Sequence, residues 1–179
     1  FAKPDAQESR GLGDVYKRQG EVPRGTGIII MANSNVEIFS NKIDDHETVG
    51  IAVVSYINDD DSDDFTDSGY YPHPKSVQIH NNEISRSGSN PDLDKDIASI
   101  LYEISDGDMP DIFWDGVLPL KQMILGQPNN EKLIIKDNGE IDFAVMNPIR
   151  YMLSLPYQLS RDQSEYSGSI TPLAPVKID

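Results

Sequence analysis

Two stretches of the chain share one alternation of apolar and polar positions: Asn35-Val36-Glu37-Ile38-Phe39-Ser40-Asn41-Lys42-Ile43 and Ser76-Val77-Gln78-Ile79-His80-Asn81-Asn82-Glu83-Ile84. The Val-x-Ile step in each has the period of two that sends alternate side chains to one face of a strand. Each stretch also carries an Asn just before its last two residues. A second pair precedes them in step, Gly27-Ile28-Ile29-Ile30 and Gly50-Ile51-Ala52-Val53. A unit repeated at such an interval leaves an apolar edge that only a copy of itself covers, so the copies are expected to stack. Val36, Ile38 and Ile43 then lie over Val77, Ile79 and Ile84, with Asn41 over Asn82, amide to amide along the stacking direction. The pattern predicts an all-β solenoid of parallel strands. An antiparallel sandwich of two similar hairpins would reproduce the alternation but not the coincident Asn and Gly positions.

The copies differ at one corner. Where the first turns through Asn33-Ser34-Asn35, the second carries an insertion at 58–74, and corners are where a stacked unit can lengthen without breaking the stack. A second insertion, 89–108, contains Ile97, Ile100, Leu101 and Ile104 at helical spacing between Ser89-Asn90-Pro91 and Gly107, which predicts a short amphipathic helix. Strand-like segments resume at 110–116, 133–135 and 141–145, with a turn at Asn138-Gly139. Residues 147–179, rich in Pro and Ser, are expected to run as an irregular tail packed on the coils, which occupy 20–146.

Composition narrows the partners. With 15 basic and 30 acidic residues the net charge is −15, a field that repels phosphate backbones and excludes nucleic acid. No apolar run approaches the roughly 20 residues of a membrane-spanning helix. The absence of cysteine rules out disulfides and thiolate chemistry. Ser9-Arg10-Gly11-Leu12-Gly13-Asp14-Val15-Tyr16-Lys17-Arg18-Gln19 resembles the in-frame translation of a transposon-derived sequencing adapter. Residues 1–19 are therefore set aside as a disordered artefact, and the natural start, with any upstream coils, is expected to be missing.

The repeated phrases, Gly50-Ile51-Ala52-Val53-Val54-Ser55-Tyr56, Pro110-Asp111-Ile112-Phe113-Trp114-Asp115-Gly116, Asn138-Gly139-Glu140-Ile141-Asp142-Phe143-Ala144 and the closing Pro172-Leu173-Ala174-Pro175-Val176 together resemble the exported bacterial parallel β-helix repeat proteins. The resemblance implies a right-handed parallel β-helix in the cell envelope or outside the cell, often lipid-anchored at its N-terminus. It implies no catalytic residues.

Candidate chemistry must come from the residues. Asp45 and His46, in Asp44-Asp45-His46-Glu47, loosely resemble the Asp-Pro-His-Asp of alginate C5-epimerases, where such groups abstract and return a sugar proton. A solvated corner is the plainer reading. Asp59, Asp61 and Asp63 could offer hard oxygen ligands to Ca²⁺, against the plainer reading of a solvated acidic loop. No other cofactor is expected. Tyr70 and Tyr71 beside the insertion, and Trp114, could stack on sugar rings, or simply anchor loops. Two function classes follow. One is a non-catalytic exported scaffold binding a glycan or another exported protein; the other is a polysaccharide lyase or C5-epimerase. The second needs cations to neutralise a uronate, and the repeats offer only Lys42, Lys75 and Arg86, so the scaffold is favoured.

Overall fold

A computed structural model describes residues 22–56, 71–147, 149–150, 153, 155–170 and 173. The remaining residues, including Tyr70, Asp59, Asp61, Asp63 and the adapter-like stretch, lie outside that description. The strands are β1 (Thr26–Met31), β2 (Ser34–Phe39), β3 (Lys42–Asp44), β4 (Val49–Val54), β5 (Lys75–His80), β6 (Glu83–Ser85), β7 (Ile112–Trp114), β8 (Leu133–Lys136), β9 (Phe143–Met146) and β10 (Leu159–Ser160). Among the described residues α1 (Asp96–Ile104) and α2 (Leu120–Leu125) are α-helices, and Asn129–Glu131 and Ser164–Tyr166 are 3-10 turns.

The strands form three sheets, ordered β1-β4-β7-β9-β10, β2-β5-β8 and β3-β6. All pairs are parallel except β9 with β10. The register is the one the repeat predicts: Val36 pairs with Val77, Ile38 with Ile79 and Ile43 with Ile84.

The expected all-β, right-handed β-helix is corrected. The described residues form a mixed α/β arrangement of parallel sheets with five, three and two strands, neither closed nor curled, together with helices. The reason is visible in β4, where Val49-Gly50-Ile51-Ala52-Val53-Val54 has no polar position and every residue is buried. A strand apolar on both faces needs cover on both. Ile51 and Val53 face the main core with Ile79, Ile112, Ile135 and Phe143. Val49, Ala52 and Val54 join a second cluster with Phe113, Met109 and Leu101 of α1. Helix α1 is thus a layer of the architecture, covering a sheet face that would otherwise meet water.

Helix α1 begins at Asp96, five residues after the proline that signals it in the sequence, because the segment before it is tied elsewhere. Thr48 Oγ1 donates to the Arg24 carbonyl (2.6 Å) and accepts from the Asp92 N–H (3.0 Å), while the Asp92 carboxylate accepts from the Arg24 N–H (2.9 Å). Helix α2 was not evident from apolar spacing, although Pro119 and Gly126 bracket it as start and stop.

Stacking like residues demands small ones where backbones meet. Gly27 stands beside Gly50, and a Cβ on Gly27 would lie 2.5 Å from the Gly50 carbonyl oxygen. The Asn positions form a ladder. Asn41 Nδ2 donates to Asn82 Oδ1 (3.1 Å) and Asn82 Nδ2 to Asn138 Oδ1 (3.0 Å). Asn82 Nδ2 also donates to the Ile38 carbonyl, and Asn138 Nδ2 to that of Ile79. On the outer face Phe39 and His80, aligned in the repeat, stack with ring centres 5.5 Å apart and planes 6° from parallel. The C-terminal segment, expected to be irregular, contributes β10 as an antiparallel edge strand on β9, and a 3-10 turn, Ser164–Tyr166, that sets Tyr166 against the core.

Ile79→Ala should cost about 2–5 kcal/mol, because Ile79 is fully buried and its cavity cannot collapse between two paired strands. Asn82→Ala should cost about 1–3 kcal/mol by taking the amide donor from the Ile38 and His80 carbonyls and the acceptor from the Asn41 backbone and side-chain N–H groups. Asn41→Ala, at the exposed end of the ladder, should cost measurably less. Urea midpoints of the three variants check the order.

Candidate functional site

A cavity of about 690 Å³ opens where the end of the parallel stack meets α2 and the C-terminal segment. Its floor is Trp114 at the end of β7, Leu118 in the following loop and Val145 on β9. Gln122, Met123 and Gln127 form one wall; Asn147, Ser160, Asp162 and Tyr166 form the other. The volume lies in the range of small-molecule sites.

Local sequence places each wall. Pro119 ends the extended loop, and its carbonyl accepts the Gln122 and Met123 N–H groups (2.8 and 3.0 Å), starting α2. Gly126, at φ +85, ends the helix in a conformation other residues rarely adopt. The 3-10 turn Asn129–Glu131 then holds both glutamines: Gln122 Nε2 donates to Glu131 Oε2 (2.7 Å), and Gln127 Nε2 to the Glu131 carbonyl (2.8 Å). Opposite, Tyr166 meets Trp114 edge-on with ring centres 5.4 Å apart, and Phe143 at 5.0 Å. Burial, with the carboxylates of Glu165 and Asp162 nearby, pushes the Tyr166 phenol up to about 12, so it stays protonated and uncharged. Two buried polar atoms of cavity-lining residues have no protein partner, Trp114 Nε1 and Gln122 Oε1. An unpartnered buried polar atom costs about 1–3 kcal/mol.

A second cluster lies at the root of the 58–74 insertion, where β4 ends and β5 begins. Asp115, 9% exposed, accepts the Ser55 N–H (2.6 Å) and the Val117 N–H (3.0 Å). Ser55 Oγ donates to the Val117 carbonyl (3.1 Å) and lies 3.3 Å from His73 Nδ1. Serine, not histidine, is the middle member, which is not the order of a nucleophilic triad. The geometry is a clasp: the Tyr56 N–H donates to the Pro72 carbonyl (2.8 Å), Tyr71 packs edge-on to His73, and Lys75 lies 4.6 Å above the Tyr71 ring. Burial pushes the Asp115 carboxyl from its ordinary 3.8 up to about 6, against the pull of its hydrogen bonds. Burial also lowers His73.

The candidates read from sequence fall apart in space. Trp114 lines the cavity, but only 5% of it is exposed, so its ring face is committed to packing. Tyr71 belongs to the clasp. Asp45 is exposed on the turn between β3 and β4, its N–H donating to the Ser85 carbonyl. The His46 ring covers Gly27, where a Cβ would come within 2.7 Å of Nε2. Neither Asp45 nor His46 lines the cavity. Among the described residues no group of three or more His, Asp or Glu is placed to hold a metal ion, and no helix is long and apolar enough to cross a membrane. Gln122, Tyr166 and the Ser55, His73 and Asp115 members of the clasp escaped the sequence reading, which offered Tyr71 as a loop anchor. The Pro119–Gly126 bracket was the available signal for the first, and nothing local marked the others. No family profile, curated protein or solved structure matches this chain.

Asp115 gives a pH dependence of defined sign. Folded Asp115 keeps its proton up to about pH 6, whereas the unfolded carboxyl has lost it above 3.8. Stability therefore falls as pH rises between those values, by on the order of 3 kcal/mol, and stays at the lower level above them. His73 acts oppositely, since its unfolded form gains a proton more readily and stability is lost as pH falls below 6.5. Urea denaturation across pH 4–6, below the range where His80, raised by its hydrogen bonds to Asn81 and Glu37, contributes, should show that Asp115→Asn removes the falling slope.

Proposed function

We propose that this chain is an exported, non-catalytic binding scaffold, and that its cavity takes an uncharged glycan. The observation that carries this reading is the cavity wall: amide and hydroxyl side chains from Gln122, Gln127, Asn147 and Ser160 stand with Lys132, Asp162 and Glu165 around apolar groups and a neutral phenol. Hydrogen-bonding groups beside apolar surface suit sugar hydroxyls and C–H faces. The exported location rests on the resemblance of the repeated phrases and of Pro110–Gly116 to exported bacterial repeat proteins.

Charge separates this reading from a lyase or epimerase. Such an enzyme needs cations free to neutralise a uronate and its enolate-like transition state. Arg86 is bound to Asp44 (2.6 Å), Lys42 is 4.0 Å from the same carboxylate, and Lys75 is seated over Tyr71. Arg161 is held by Asp108 and Asp142, and Lys132, the one Lys or Arg in the cavity lining, shares that lining with two carboxylates, Asp162 and Glu165. The net charge of −15 further repels polyuronates.

Alginate and pectate incubated with the protein should yield no unsaturated product by ultraviolet absorbance and no change in C5 configuration by proton NMR. Affinity electrophoresis should show retardation in neutral glucan or chitin-type gels and none in alginate. Turnover that disappears in His46→Ala would overturn the proposal and make Asp45 and His46 an acid–base pair.

A further inference from the structure

The first copy of the repeat is an edge on all three sheets. Strands β1, β2 and β3 each pair with a second-copy strand on one side and, among the described residues, with no strand on the other. The apolar layer is open there. Ile28 and Val36 are only partly buried, whereas the residues aligned with them, Ile51 and Val77, are 0% and 1% exposed. Strand β1 carries no charge and no proline, so it lacks the devices that ordinarily keep an edge strand from pairing.

The Asn ladder defines the complement of this edge. Each inner rung serves the preceding copy twice: Asn82 Oδ1 accepts the Asn41 backbone N–H (3.1 Å), and Asn82 Nδ2 donates to the carbonyl three residues earlier, that of Ile38 (3.0 Å). Asn138 does the same for the Asn82 N–H (3.0 Å) and the Ile79 carbonyl (2.9 Å). Asn41 carries the same amide, yet its Oδ1 accepts from no described residue, and its Nδ2 donates to the Phe39 carbonyl and to Asn82. Phe39 stacks on His80 and is still 53% exposed. Repeating the rung once more calls for a strand parallel to β2, offering one N–H and, three residues before it, one carbonyl.

A second copy of the chain does not offer that pair. Set edge to edge with apolar faces inward, its strands run antiparallel, and at its other end β10 already lies across β9. The residues leading into β1 are drawn the opposite way, since the Arg24 carbonyl is bound by Thr48, the Arg24 N–H by Asp92, and the Gly25 carbonyl by the Thr48 and Val49 N–H groups. We infer that the edge binds an extended segment of another protein, added as a parallel strand beside β2 and β3. Its apolar residues lie over Val36 and Ile38, and a planar side chain lies over Phe39. The segment carries no acidic residues, because the net charge of −15 disfavours them. At the edge itself Glu37 is paired with His80 (2.9 Å), and Asp44 with Arg86 (2.6 Å) and Lys42 (4.0 Å). None of these residues lines the cavity, so the inference is independent of the glycan reading.

The probe is a fluorescein-labelled peptide of the protein's own phrase, residues 34–44, with Glu37→Gln and Asp44→Asn. Anisotropy with the full-length protein should show saturable binding. Methylating the peptide's backbone nitrogen at the residue matching Asn41 removes the N–H that Asn41 accepts, and should weaken binding about tenfold or more. Asn41→Leu in the protein should weaken it by a similar factor, with the urea midpoint confirming that the variant is folded. Ile124→Ser, exposed on α2, should leave binding unchanged. A spin label at the C-terminus of the peptide should broaden the Lys42 resonances and spare those of Ser34, the mark of a parallel strand. The opposite broadening, equal binding of the methylated peptide, full binding by folded Asn41→Leu, or no binding at all would overturn the inference. Dimerisation of the protein alone, abolished by Phe39→Ser in sedimentation, would assign the edge to a second copy and overturn it as well.

Discussion

Every parallel pair in this protein sets a residue beside its counterpart in the next copy, and that one constraint governs the rest. Side chains at aligned positions must tolerate their own kind as neighbours. Isoleucine and valine do so by packing, and the fully buried Ile51, Ile79, Ile112 and Ile135 show how completely. Asparagine does so by hydrogen bonding, because its amide donates on one side and accepts on the other, and the Asn41-Asn82-Asn138 ladder uses both. Glycine does so by having no side chain where Gly27 and Gly50 bring backbones together. A charged residue would satisfy none of these conditions in the interior, and the acidic residues of the strands, Glu37, Asp44 and Glu83, are none of them buried.

The same constraint creates edges. A stack of parallel strands ends with unpaired backbone and an open apolar cross-section, both unfavourable in water. At the C-terminal end the chain resolves this by reversing direction. Strand β10 pairs antiparallel with β9, Gln163 Nε2 donates to the Ile135 carbonyl, and Tyr166 closes over Trp114 and Phe143. The cavity is a by-product of this closure: the covering segment and α2 approach the last strands from two sides without meeting. Its lining is accordingly assembled from residues as distant in sequence as Trp114, Gln122 and Tyr166, and its polar atoms are left partly unpaired because no single element was shaped around them.

Corners show the opposite economy. The insertion after β4 leaves and returns within a few residues of buried Asp115, which gathers the N–H groups of Ser55 and Val117 around one carboxylate. Holding an ionised acid there is unfavourable, as its raised proton affinity records. The alternative, two backbone donors without an acceptor, would be more costly still.

What the sequence determined by itself was periodic: which residues pair, in what register, and that Asn41 stands over Asn82, because strand pairing between repeats is local to the phrase and written in its alternation. The helix after residue 90 was legible too, although its start moved once Asp92 was tied to Arg24 and Thr48. Tertiary structure alone decided the class. Nothing in the spacing of Ile97, Ile100, Leu101 and Ile104 says which surface they cover, and only the doubly apolar β4 made α1 a layer and the protein mixed α/β. It likewise decided the cavity and the clasp, since Trp114, Gln122 and Tyr166, or Ser55, His73 and Asp115, share no period. Their meeting depends on where the chain turns back, and that follows from the need to cover an edge rather than from any pattern within a segment.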